Sequence, residues 1–319
     1  MLPTAIDIYD ARRRLAAHLT PTPLLPSAWL SSIVGGPVFV KLESVNLTGS
    51  FKIRGALNAA LKLMEARTGA IPMLVTASAG NHGRALALAA ETLGLTCVVF
   101  APEQAPDAKK NAIRRHGAAL HECADYDTAE QKAREYAAAE HAVYLSPYNH
   151  ADVIAGAGTV GLELVEAMPA FDVVVIPLGG GGLASGVGLA VKATAPGTTI
   201  VGVDVEASPA FTLGLKAGRI TEITPRQSLA DGLTGNIEAG SITFPLVQQV
   251  VDRVVTVGED DLARAMRGLA ADEHLIVEGA GAAATAAVTA GKAAEPGQRV
   301  VVLVTGGNVD LPKWLTAVN

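Results

Sequence analysis

The chain has 319 residues, half of them hydrophobic and only 4% aromatic, with a formal net charge of −6. That suits one large or two smaller α/β domains whose cores are filled by alanine, glycine and valine, and it excludes the clustered base of a nucleic-acid surface. The two cysteines, Cys97 and Cys123, make no disulfide framework and no zinc ligand set, so no metal is expected.

The first residues, "MLPTAIDIYDARRRLAAHL", lack the basic start, apolar run and cleavage site of a signal peptide. No apolar run reaches the roughly 18 residues of a membrane helix. A cytoplasmic setting with no membrane partner is expected. Residues 5–18 read as an amphipathic helix with Arg12 to Arg14 solvated, and "TPTPLLPS" as non-helical because each proline pushes its predecessor toward extended structure. "PVFVKLE" (37–43) reads as a strand, and "SFKIRGALNAALKLME" as a helix with Ser50 as its N-cap.

From there strands and helices alternate. "PMLVTAS", "TCVVFAP", "AALHEC" and "AVYLSP" read as strands, separated by the helices "NHGRALALAAETLG", "PDAKKNAIRRHG" and "DYDTAEQKAREYAAAE". Lys109, Lys110, Arg114 and Arg115 read as one solvated helix face. The helix "GTVGLELVEAM" leads to the strand "DVVVIPLG", the helix "GLASGVGLAVKATA" and the strand "TIVGVDVE". A looser stretch (207–242) precedes the strand "RVVTVGE", the helices "DDLARAMRGLAADE" and "GAGAAATAAVTAG" and the strand "RVVVLVTGG". The alternation means βαβ units and parallel sheet, and runs such as "DVVVI" fit strands covered on both faces. The expected fold class is α/β with two open, twisted, mostly parallel sheets. Residues 1–66 and 150–319 form the larger domain and 67–149 a smaller inserted one.

Three strand-to-helix or strand-ending loops carry chemistry. "VVVIPLGGGGLASG" (173–186) puts four glycines before a helix start, a cradle for phosphate. "TASAGNHG" (76–83) crowds Ser78, Asn81 and His82 at another helix start, suited to a carboxylate or a ring oxygen. "LVTGGN" (303–308) sets the Thr305 hydroxyl at the end of a buried strand. Loops at strand C-termini face one crevice. One reading of the glycine loop is a dinucleotide site, with Gly179, Gly181 and Ala184 as fingerprint and Asp204, 23 residues after Gly181, as the ribose-binding acid. That NAD-dependent oxidoreductase reading leaves Lys52 in "LTGSFKIRGA" (47–56) unexplained. A phosphate cradle beside a lysine whose pKa is pulled down suggests pyridoxal phosphate on a Schiff base.

In order and spacing these motifs, with "KLESVNLTGSFKIRGA", "SAGNHG", "VIAGAGTVGLEL", "PLGGGGLASG", "LADG" and "TGGNVDL", resemble the serine/threonine dehydratase family. That family includes serine racemase and belongs to the fold type II pyridoxal-phosphate enzymes. The resemblance spans nearly the whole chain. It implies that the cofactor lies in the cleft between the two domains and that Lys52 is the Schiff-base lysine with Phe51 against the ring. It implies further that Asn81 bonds the phenolic oxygen and that Gly179, Gly180, Gly181, Gly182 and Leu183 hold the phosphate. Thr305 faces the pyridine nitrogen, and Gly232 and Glu278 border the cofactor. Ser78, Ala79, Asn81 and His82 line the substrate carboxylate, while Arg54 is a structural partner.

The implied activity is an ammonia-lyase (dehydratase) for a β-hydroxy L-amino acid of threonine or serine type. The partner is a small amino acid, the assembly a homodimer, and no regulatory domain is expected. The alternatives are 3-hydroxyaspartate, phenylserine or a hydroxyectoine-degradation intermediate as substrate, or serine racemase activity. Racemases carry a serine where this chain has Ala79, so racemisation is expected to be poor. A cation site seen in many relatives is not expected, because Ala210 replaces a carboxylate six residues after Asp204.

Overall fold

The computed structural model describes residues 2–319 apart from 67, 68, 70, 71 and 169. Among the described residues ten strands form two sheets. The strands are β1 (Leu24–Pro26), β2 (Val38–Leu42), β3 (Leu74–Ala77), β4 (Cys97–Pro102), β5 (Ala119–Cys123), β6 (Val143–Tyr144), β7 (Val173–Pro177), β8 (Thr199–Val205), β9 (Arg253–Val257) and β10 (Val300–Val304). The larger sheet runs β1-β2-β10-β7-β8-β9 and the smaller β5-β4-β3-β6. All pairings are parallel except β1 with β2. All four strands of the smaller sheet lie within the segment expected to be a separate unit. The boundary expected at 66–67 falls partly outside the described residues.

The apolar runs occupy the middle of the larger sheet, as their composition dictates. Every residue of β7 and β10 is buried, with helices on both faces. One covering helix, Gly279–Thr289, is apolar on all sides and buried from Gly279 to Val288, so it sits inside the core rather than on it.

Several expectations need correction. Ser50 does not cap the helix Lys52–Ala66; it pairs with Gly306 as an isolated bridge, and its hydroxyl has no partner. The helix expected from 158 begins at Ala151, capped by His150. The stretch 207–242 contains a helix, Ala210–Ala217, ended by Gly218 at φ 68°. Three other short helices, Ala28–Val34, Thr243–Val250 and Leu311–Val318, and the short β1 were not read from the sequence. Seven or eight residues give too few turns for a helical period to stand out. Lys110 is buried, bonded to Glu122 and the Glu103 carbonyl, and Lys109 reaches Asp231 at 2.6 Å. The basic helix face is therefore not simply solvated.

A buried ionic cluster fixes the helix that starts at Lys52. Arg54 forks onto Glu43, with Nε and Nη2 each 2.8 Å from a carboxylate oxygen. Its Nη1 and Nη2 reach Glu163, in the Ala151–Ala167 helix, at 2.6 and 2.8 Å. Lys41 adds a second cation on Glu163, and Thr22 donates to Glu43. Two cations and two anions balance with no water needed. Burial alone would raise the Glu43 carboxyl, but the Arg54 guanidinium overrides it and holds the pKa below the ordinary value. Glu43→Ala should strand Arg54 with an excess buried positive charge and cost about 3–5 kcal/mol in urea unfolding. A loss under about 1 kcal/mol, the size of an exposed pair, would mean that water reaches the cluster.

Candidate active site

The loops after β3, β7 and β10 end on one cavity of about 910 Å³ between the two sheets, the size of a small-molecule or cofactor site. Each residue that the family resemblance assigns to the cofactor or the substrate lines it: Phe51 and Lys52, Ser78, Ala79, Asn81 and His82, Gly179 to Leu183, Gly232, Glu278 and Thr305. They come together because parallel strands end on the same side and the helices that follow begin there.

Lys52 is the first residue of its helix and extends over the Phe51 ring, 5.0 Å from its centroid, to donate to the Pro147 carbonyl at 2.8 Å. Burial lowers its pKa to about 8 despite the nearby Glu278 carboxylate, so a usable share of the amine is neutral near neutral pH. Glu278 faces the other way electrostatically. Burial raises it to about 7, and the hydrogen bond from Asn81 Nδ2 at 2.6 Å only partly offsets this. Asn81 also accepts from Asn308 Nδ2 at 2.7 Å, so its amide is oriented from both ends and one N–H remains for the cavity.

His82 is buried and held neutral: burial first, then the charge on Lys52, pushes its pKa down to about 3. Its Nε2 lies 3.2 Å from the Leu145 carbonyl, which assigns the proton to that nitrogen, and Nδ1 is left without a partner. Such a ring offers the cavity an acceptor, so any contact with a carboxylate falls to the free backbone N–H at this helix start.

The glycine loop is shaped by its neighbours. A side chain at Gly180 would enter the Tyr148 ring, and Gly181 sits at φ 82° against Phe211. The first N–H groups of the Gly182–Thr194 helix have no intrahelical acceptor and open on the cavity beside these glycines. Thr305 is buried at the cavity edge with only a 3.5 Å contact from its hydroxyl to the Ala280 carbonyl. An anion cradle, a lysine of lowered pKa, an aromatic wall and an underused hydroxyl together fit pyridoxal phosphate.

Asp204 does not line the cavity. Its carboxylate accepts from the Thr212 N–H and hydroxyl at 2.8 and 2.9 Å and so ties down the Ala210–Ala217 helix. It is therefore occupied within the fold, and the dinucleotide reading loses its ribose-binding acid.

A family model for pyridoxal-phosphate dependent enzymes matches residues 15–306. The chain belongs to that family. Its cofactor is pyridoxal phosphate, and its two parallel-sheet regions have the fold type II arrangement. The chain is similar to L-threonine ammonia-lyase of Thermotoga maritima, 39% identical over 97% of this chain and 76% of that one. It is similar to L-threo-3-hydroxyaspartate ammonia-lyase of Saccharomyces cerevisiae, 34% identical over 100% and 97%. It superposes on maize serine racemase with a TM-score of 0.91, 30% identical over 99% and 97% of the two chains.

Sequence reading missed Tyr148, Lys109, Asp231 and Glu238, all on the cavity wall. The raised Glu278 pKa has a consequence for stability. An acid whose pKa rises from 4.5 unfolded to about 7 folded contributes stability below the lower value and loses it as pH climbs through the higher. Cofactor-free protein should become easier to unfold by urea across that window, and Glu278→Gln should flatten the slope. An equal slope in both proteins would place the titration elsewhere.

Proposed function

We propose that this chain is a pyridoxal-phosphate-dependent ammonia-lyase that converts a β-hydroxy L-amino acid of threonine or serine type to a 2-oxo acid and ammonia. The observation that carries it is that Lys52, with its pKa near 8, is a base on the cavity wall, while Ala79, the residue that the family resemblance aligns with a racemase's second acid/base, is an alanine on the same wall.

Lys52 would hold the cofactor through its amine and, with that amine free, would be the base that takes the α-proton. The bond from its amine to the Pro147 carbonyl, 2.8 Å, keeps it within the site. The N–H groups of Gly179 to Leu183 would hold the phosphate, and Phe51 would pack on the ring. Ser78, Asn81 and the His82 N–H receive the substrate carboxylate. The bound cofactor supplies the electron sink that acidifies the α-carbon and allows the β-hydroxyl to leave. The Thr305 hydroxyl, a neutral group rather than a carboxylate, would face the ring nitrogen and would keep that sink weak. Water is lost with the hydroxyl and regained when the released enamine tautomerises and hydrolyses, so the net products are a 2-oxo acid and ammonia.

Finer features follow from the same reading. Residues 67–149 act as a small α/β unit over the cofactor, the protein works in the cytoplasm, and its assembly is a homodimer. Light scattering of pure protein should give twice the 32.6 kDa chain mass, and a single-chain mass would remove the dimer.

The chemistry is tested with a panel of L-threonine, L-serine and L-threo-3-hydroxyaspartate, scored for 2-oxo acid, with D-serine formation followed in parallel. Lys52→Ala should abolish turnover while leaving the fold intact by circular dichroism. Lyase activity well above racemisation is expected. Normal turnover by Lys52→Ala, or D-serine as main product, would overturn the assignment.

A further inference from the structure

Lys52 has a long, flexible stem, so the place where its amine waits is set by what receives it. That acceptor is a single backbone carbonyl, Pro147 O. Pro147 belongs to the turn Ser146–Asn149, which follows β6 and precedes the Ala151–Ala167 helix. A turn of this kind holds its shape only where something fixes it, and proline removes one backbone donor from the task.

What fixes it is Glu238, a residue distant in sequence. Ser146 Oγ donates to Glu238 Oε1 at 3.0 Å, and Asn149 Nδ2 donates to Oε2 at 2.7 Å. Tyr148 Oη accepts from the Glu238 N–H at 3.1 Å, and Asn149 Oδ1 accepts from the Ile242 N–H at 3.0 Å. Ser146 Oγ also accepts from the Asn149 N–H at 3.1 Å, closing the turn on itself. Arg134 reaches Glu238 Oε2 at 3.0 Å and lies over the Tyr144 ring at 4.4 Å, so the carboxylate is charge-balanced. Each residue on either side of Pro147 is thus bonded to the same short segment. The one aromatic ring in the turn, Tyr148, is also the ring that abuts Gly180 of the phosphate loop.

We infer that Glu238 is a positioning residue: through the Ser146–Asn149 turn it sets both the Pro147 carbonyl that receives Lys52 and the Tyr148 ring that shapes the glycine loop. In this role it acts through the turn. The inference rests on the reading of Lys52 as the cofactor lysine, and the experiment separates the two. Charge-assisted bonds to an acceptor-only carboxylate are the strong ones in such a network, so truncation releases the whole turn.

The test is cofactor capture by cofactor-free protein. Pyridoxal phosphate is added, samples are quenched with borohydride over time, and the modified lysine is mapped by mass, with the melting temperature of each cofactor-free variant recorded. Wild type should be labelled at Lys52; label elsewhere or none would sink the function proposed above. Given Lys52 labelling, Glu238→Ala should slow capture by about ten-fold or more, the scale of a small misplacement of a reacting group. Glu238→Gln, which can still accept from Asn149 and donate to Ser146, should return most of the rate. Ser146→Ala, which removes the bond to Glu238 Oε1 and the bond from the Asn149 N–H but leaves Glu238 on Asn149 Nδ2 and Arg134, should fall between and covers the case in which Glu238→Ala fails to fold. Capture at the wild-type rate by both Glu238→Ala and Ser146→Ala would overturn the inference. So would a slowing that follows the melting temperature and is not restored by Glu238→Gln.

Discussion

The fork of Arg54 onto Glu43 and Glu163 is the constraint on which the rest of the site depends. Arg54 lies two residues after Lys52, and its partners come from the segment after β2 and from the helix that follows the smaller sheet. Three pieces of chain are thereby locked at the point where the reactive lysine begins its helix. The cluster is internally neutral, and each carboxylate has more than one donor, so burial is tolerable. An arginine there does what a lysine could not, since two carboxylates are met by one planar group.

Around that anchor the cavity uses the ends of secondary structure. Helix starts after β3 and β7 supply unsatisfied N–H groups, and the end of β10 supplies Thr305. The same low-dielectric enclosure that pulls Lys52 down to about 8 pushes Glu278 up to about 7 and keeps His82 neutral. One physical cause, desolvation, thus sets a base, a readily protonated acid and a neutral imidazole side by side. Such opposed shifts mark the cavity as a place where protons move.

Two ion pairs join helices of the smaller sheet's side to the segment after β8 that lines the cavity. Lys109 from the smaller sheet's side meets Asp231, and Arg134 meets Glu238. Both acidic partners lie in the stretch after β8 that the sequence showed only as loose. Its work is to span the cleft, which needs neither a long helix nor a strand, and for that reason it carries no periodic signal.

The sequence by itself determined the alternation of strands and helices, the burial of β7 and β10, the glycine cradle and the polar residues crowded at the helix start after β3. These features are local: a two-residue or helical period, a glycine run, a polar residue at a helix start. Only the tertiary structure decided which charges pair. Arg54 with Glu163 spans 109 residues, Lys109 with Asp231 122, and Ser146 with Glu238 92. It also decided that Ser50 is no cap, that Lys110 is buried, and that Asp204 serves a helix rather than a ligand. A side chain's partner at that separation depends on how two sheets and their helices stack, and the order of residues along the chain holds no local pattern that encodes it.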